Sequence, residues 1–190
     1  MKILAVFVVM ATVTSAIHPG ASADVQRRSS LSCALEGCVP SFCMCTRYEV
    51  FCDSAHGETA AAAQAFCEER GGTLANMKTK EIDDAVRTFI KNEKLDNQGC
   101  AENYGFWIGL NDRKVEGQHE WSDGTPLCPS YTNWAPDQPN NNDKKDPDGQ
   151  DCGQLWFRGN NDLRWDDEYC DYRPKGIVCE IPNHCCCGAP

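Results

Sequence analysis

Residues 133–156 read "NWAPDQPNNNDKKDPDGQDCGQLW". From Asp137 to Asp151 ten of fifteen side chains end in a carboxylate or an amide, and no apolar residue recurs at a helical or strand period. Two prolines and a glycine break the stretch further, so it reads as a long irregular loop. It closes on Cys152, and the "GQLWF" that follows reads as a short strand. Oxygen donors converging from an irregular loop suit a hard cation such as calcium, which takes six to eight oxygen ligands.

The rest of the chain frames that loop. Before it, "FWIGL" (106–110) and "QHEW" (118–121) read as strands, and after it "LRW" (163–165) and "GIVCEI" (176–181) do so too. Upstream, "TRYEVF" (46–51) is a strand by its alternation of Tyr48 and Val50. Next comes "ETAAAAQAFCEERGG" (58–72), an alanine-rich helix with Thr59 as its cap and Gly71 as its left-handed stop. A second helix spans "TKEIDDAVRTFIKNEK" (79–94), capped by Thr79. Its Ile82, Ala85, Val86, Phe89 and Ile90 share a face, while Glu81 and Asp83 favour the positive end of the helix dipole. Two helices followed by several short strands define an α+β domain with short antiparallel strands and a long loop.

Composition narrows the function classes. The chain has 190 residues and is 41% hydrophobic, enough for a single core with extra terminal material. Its 28 acidic and 18 basic side chains, net charge −10, argue against nucleic acid, which demands a lysine and arginine excess. "MKILAVFVVMATVTSA" carries a lysine, an apolar run from Ile3 to Val13 and small residues at Thr14 and Ala16. This reads as a signal peptide over 1–16; a cut after Ala23 and processing at Arg27–Arg28 are alternatives. The run falls short of the ~20 residues that span a bilayer, and no later stretch reads as membrane-inserting. The expected product is secreted. Fourteen cysteines agree with an oxidising compartment and disulfides rather than zinc, because no pair of Cys-x2-Cys knuckles has zinc-finger spacing. His56, His119 and His184 sit in unrelated contexts beside no nucleophile motif, so no enzyme is expected. Trp107, Trp121, Trp134 and Trp156 lie in or near strand-like runs and read as core.

The order "FCEERGGTLA", "FWIGLND", "WSDG", "YTNWAP", "QPN", "DC", "WDDEYC" and "GIVCE" resembles the C-type lectin-like domain family, from about Tyr48 to Ile181. The resemblance implies bridges Cys67–Cys179 and Cys152–Cys170, with Cys100–Cys128 proposed as a third. In the chain-entropy picture the first two contribute roughly 3 to 5 kcal/mol each. It divides the chain into signal peptide 1–16, cysteine-rich extension 17–45, lectin-like domain 46–182 and cysteine-rich tail 183–190. Cys33, Cys38, Cys43 and Cys45 precede the domain and Cys52 lies at its amino-terminal edge, a group of five, and Cys185, Cys186 and Cys187 follow it. Both groups are odd in number, which leaves open a bridge between the two ends or a disulfide-linked oligomer.

Carried across, the family's sugar and calcium site falls on Gln138, Asn140, Gln150, Asp166 and Asp167, with Pro139 in cis. A second calcium site falls on Asp112, Glu116, Asn141 and Asp151. In such sites two neighbouring sugar hydroxyls complete the calcium shell while bonding to the same side chains. Glu-Pro-Asn accompanies mannose-type and Gln-Pro-Asp galactose-type sugars; Gln138-Pro139-Asn140 is a hybrid with two amide donors and no charge. Gln150 removes an expected carboxylate and Asp166 restores one, which implies weaker calcium binding, toward ~10⁻³ M. Asp143, Asp146 and Asp148 are further carboxylates in the loop. The functional expectation is a secreted, calcium-dependent lectin that binds glycans on cells or microbes, with a role in innate immunity implied by the resemblance alone. The alternative is the same fold presenting its acidic loop to mineral, ice or a protein partner.

Overall fold

The computed structural model describes residues 3–9, 43–52, 57–95, 105–129, 131–157, 162–172 and 174–185. Their elements are β1 (Ile3–Val9), β2 (Cys43–Phe51), α1 (Ala60–Glu68), β3 (Thr73–Leu74), α2 (Lys80–Asn92), β4 (Phe106–Asn111), β5 (Glu120–Trp121), β6 (Cys152–Phe157), β7 (Leu163–Glu168) and β8 (Gly176–Cys185). One sheet runs in the order β1-β2-β8-β4-β6-β7, with β3 on β8 and β5 on β4. The β4–β8 pair is parallel and the other pairings are antiparallel. This is the expected α+β architecture.

The helices form where local chemistry directs. Thr59 and Thr79 accept backbone N–H bonds from Ala62 and Ile82, at 3.0 and 3.4 Å, and so satisfy donors that open helix ends leave orphaned. Gly71, at φ 77°, supplies the left-handed step after α1. Each strand feeds both faces of the sheet, because successive side chains point to opposite sides. Phe106, Ile108 and Leu110 join Tyr48, Val50, Val178 and the α2 residues Val86 and Ile90 in one core. Trp107, Phe51, Ile177 and Cys179 join Ala63, Phe66 and Cys67 of α1 in the other. The Cys67–Cys179 disulfide lies in this second core, and Cys152–Cys170 ties β6 to the turn after β7. Cys52 and Cys128 are also disulfide-bonded; Cys100, the partner proposed for Cys128, lies outside the described residues.

Three features differ from the sequence reading. The β2–β8 ladder runs from Cys43 opposite Cys185 to Phe51 opposite Ile177, longer at one end than "TRYEVF" and "GIVCEI" suggest. β1, inside the expected signal peptide, pairs only with β2 at the sheet edge, so its removal leaves every other ladder intact. Residues 10–42 of the leader and extension, and 186–190 of the tail, lie outside the described residues. Finally, α2 buries a carboxylate on its core face. Asp83 is fully buried and accepts four hydrogen bonds: from Trp165 Nε1 at 2.7 Å, Arg87 Nε at 2.7 Å, and Tyr131 Oη and Asn133 Nδ2 at 2.8 Å each. A buried carboxylate is tolerated when paired in this way. Trp165 also meets Trp121, Tyr131 and Trp134 edge-on at 5.5 to 5.9 Å. Together these contacts fix the start of the Asp166–Asp167 pair.

Candidate functional site

β6 and β7 form the floor of the site. Their register sets Gln154 opposite Asp166, and Cys152 opposite Glu168. On an antiparallel pair directly opposed residues share a face, so Gln154, Asp166 and Glu168 line one side of the ladder and Asp167 projects from the other. Gln154 Nε2 donates to Asp166 Oδ2 at 2.8 Å. Asp166 and Asp167 are both buried, as is Gln154.

Asp167 anchors the loop. Its Oδ2 accepts from the backbone N–H of Asn140 at 2.9 Å and of Asn141 at 2.6 Å, and its Oδ1 accepts from Asn140 at 3.1 Å. The Gln138–Pro139 bond just before these amides is cis. Further along, Asn142 N–H donates to Gln150 Oε1 at 3.1 Å, and Gln150 N–H donates to Asn141 Oδ1 at 2.7 Å, which pins the two ends of the loop together. Gly149 makes that closure feasible. Its φ is 90°, and a Cβ there would come within 1.8 Å of Asn141 Oδ1.

Gln138, Asn140, Gln150 and Asp166 share a groove of about 350 Å³, and Asp167 holds its rim. The same groove contains residues that sequence reasoning did not single out. Glu168 Oε1 accepts from Gln150 Nε2 at 3.0 Å, which returns a carboxylate next to the position where Gln150 removes one. Lys175, only 1% exposed, holds its ammonium 3.6 Å from Glu168 Oε2 and 4.9 Å from the Trp107 ring centre. Trp156, read as core, is half-buried and lines the groove, because Leu155 takes the inward position of that strand. Glu168 was findable: it lies two residues after Asp166, the spacing that returns a strand to the same face. Nothing local in the sequence signals Lys175.

The residues suit calcium in kind. Among the described residues no three His, Cys, Asp or Glu side chains converge as a metal cluster, so amides must supply part of the shell. Gln138 Oε1 is buried and accepts no hydrogen bond from the described residues, an acceptor left without a donor where a hard cation would satisfy it. The set Gln138, Asn140, Gln150, Asp166 and Asp167 offers only oxygen, the donor calcium prefers.

A second acidic group gathers at the other end of the loop. Asp112 is 4% exposed; its Oδ2 accepts from Gly117 N–H at 2.9 Å while its Oδ1 is buried with no hydrogen-bond partner among the described residues. The Asp151 carboxyl is pushed up from its usual range, first by burial and then by repulsion from Asp112, Glu116, Asp148 and Asp146. Asp112, Glu116, Asp146 and Asp148 thus lie within electrostatic range of Asp151, without converging as a ligand cluster among the described residues. The fourth expected member, Asn141, instead spends Oδ1 on Gln150. His119 Nε2 lies 3.7 Å from Asp112 Oδ2 and its ring packs on Trp134, which marks it as part of this framework.

A small α+β domain with a cis-proline loop, the Cys67–Cys179 and Cys152–Cys170 disulfides and an oxygen-lined groove at its loop face defines a class of recognition domain. The Lectin C-type domain model matches residues 56–181, and the chain belongs to the C-type lectin family. It is 33% identical over 120 residues to hepatic lectin of Gallus gallus, covering 63% of this chain and 48% of that protein, so it spans about half the length of that relative. It is 31% identical over 126 residues to the alpha-N-acetylgalactosamine-specific lectin of Patiria pectinifera, covering 66% of this chain and 67% of the relative. The fold is similar to the mouse scavenger receptor C-type lectin carbohydrate-recognition domain, with a TM-score of 0.56 and 26% identity over 76% of this chain and 97% of that one. This is a carbohydrate-binding family whose domains generally bind calcium, and the matched relatives are lectins and receptors rather than enzymes.

Proposed function

We propose that this chain is a secreted lectin that binds glycans in a calcium-dependent manner through the Gln138-Pro139-Asn140 loop. The observation that carries the reading is the buried, unpartnered Oε1 of Gln138 in the groove that also holds Asn140, Gln150 and Asp166. Bound by these residues and Asp167, calcium would supply coordination for two neighbouring sugar hydroxyls. The side chains supply the rest. Gln138 and Asn140 would each give an amide oxygen to the cation and keep an N–H for a sugar oxygen, while an ionised Asp166 could only accept. Asp167 keeps Asn140 in place through the backbone bonds already described. Glu168 adds negative charge beside Gln150 without itself being one of the expected ligands, and Lys175 balances it from below. The name of the Patiria relative, a sugar-specific lectin, supports a saccharide as ligand. Secretion rests on residues 1–16, which have the composition of a cleaved leader.

Binding of the full chain to immobilised sugars, with calcium and then with a chelator, tests the proposal. Chelator-sensitive retention with elution by a free monosaccharide is the expected result; retention indifferent to chelation refutes it. A second reading is favoured by the acidic group of Asp112, Glu116, Asp146, Asp148 and Asp151, which would face a mineral or cationic surface without any sugar. Calcium titration with and without hexoses separates the two, because surface binding is unaffected by a hexose.

A further inference from the structure

The loop from Asp143 to Asp148, "DKKDPD", sorts its charges to opposite sides. Asp146 and Asp148 act on Asp151, together with Asp112 and Glu116, at the acidic end. Lys144 and Lys145 instead line the groove of Gln138 and Asn140. That groove carries three lysines, Lys144, Lys145 and Lys175, against two carboxylates, Asp166 and Glu168, inside a chain of net charge −10. Lys175 is committed to Glu168. Among the described residues Lys144 and Lys145 pair with no carboxylate, although both are exposed and acidic residues flank them in sequence.

Their placement is built rather than incidental. Lys145 Nζ sits 3.0 Å from the centre of the Tyr172 ring and 5.8 Å from that of Tyr169, a cation–π arrangement that holds the ammonium at the groove wall. Its backbone N–H donates to Tyr169 Oη at 3.2 Å, and Tyr169 Oη donates in turn to Asn142 Oδ1 at 3.1 Å. Asn142 Oδ1 also accepts from Lys144 N–H at 3.0 Å. The Lys145 ammonium is therefore held beside the hydroxyl-binding residues before any ligand arrives, with the Lys144 backbone fixed next to it, which lowers the ordering cost of meeting an anion.

We infer that the groove selects an anionic saccharide, with ring hydroxyls at Gln138 and Asn140 and a sulfate or carboxylate substituent against Lys144 and Lys145. The inference rests on the sugar-binding reading of the same groove and adds the class of ligand. An ammonium meets either anion as a point charge, so the two substituents share one chemistry and are compared directly in the test.

The test uses the full chain with calcium and three ligands: a neutral disaccharide, its sulfated form and its uronic-acid form. Both charged forms are expected to bind about three- to tenfold more tightly than the neutral parent at low salt, the range for two exposed charge contacts. The preference shrinks as sodium chloride is raised. In K144Q/K145Q the ratio of charged to neutral affinity falls to about one, with the neutral disaccharide as the internal reference. Preference for only one charged form, still lost in the double variant, supports the inference and identifies the substituent. Equal binding of all three ligands by the wild type, or a preference that survives in K144Q/K145Q, overturns it and leaves the lectin reading standing. If no ligand binds in a chelator-sensitive way, the lectin reading fails and this inference falls with it.

Discussion

Asp83→Asn replaces one oxygen with an NH2 group in the interior and is expected to cost about 2 to 4 kcal/mol of stability. The figure follows from the four donors. Oδ2 accepts from Arg87, Tyr131 and Asn133, and Oδ1 accepts from Trp165 Nε1. Asparagine keeps one acceptor oxygen and gains a donor. With its oxygen toward the three-donor side, its NH2 faces the indole N–H; turned over, it faces three donors. The first arrangement is cheaper and still strands one buried indole N–H, at about 1 to 3 kcal/mol. Loss of the charge assisting the bond from Arg87, itself mostly buried, adds about 1 kcal/mol. Asp83→Ala strands all four donors and is expected to exceed Asp83→Asn. The assay is guanidinium unfolding with disulfides intact, followed by tryptophan fluorescence. An Asp83→Asn midpoint equivalent to less than about 0.5 kcal/mol of change would refute the view that this carboxylate organises the Trp165 region.

Asp167→Ala removes the acceptor for the N–H groups of Asn140 and Asn141, so chelator-sensitive sugar retention is expected to fall at least about tenfold; undiminished retention places binding elsewhere. Gln150→Glu sets a second carboxylate against Glu168, now 3.0 Å from the Gln150 amide. The melting temperature is expected to fall without calcium, while calcium affinity in a calorimetric titration rises about tenfold, as added ligand charge dictates. Burial pushes the Glu180 carboxyl up to about 7. The folded state therefore holds a proton that the unfolded chain releases near 4.5, and this contribution to stability is full below that pH and lost as pH rises through about 7. Denaturation midpoints across that window are expected to decline in the wild type and to decline less in Glu180→Gln.

What was legible in the sequence was whatever local chemistry decides. Thr59 and Thr79 announce helix starts because a hydroxyl at that position bonds the next turn. The oxygen-rich loop was visible because no periodic element tolerates such a run. The ordered motifs then placed Gln138, Asn140 and Asp166 in one groove. Asp83 was read only as a helix-end charge, since its three distant donors come from residues 48 to 82 positions away. Trp156 was read as core because its apolar neighbours conceal which strand face it takes. Strand alternation puts Glu168 on the face of Asp166, but its meeting with Lys175 depends on the turn into β8, which no periodicity encodes.

The division of labour between ladder and loop has an evolutionary consequence. Asp166, Asp167 and Glu168 sit on paired strands, where a change of residue disturbs the sheet and its neighbours. Lys144 and Lys145 sit in a loop that closes on itself through Asn141, Asn142, Gln150 and Gly149, outside every ladder. Substitutions between Asp143 and Asp148 can thus rewrite the charge of the groove wall at little cost to folding. A chain built in this way can change the charge of its groove wall at that segment while keeping the floor beneath it.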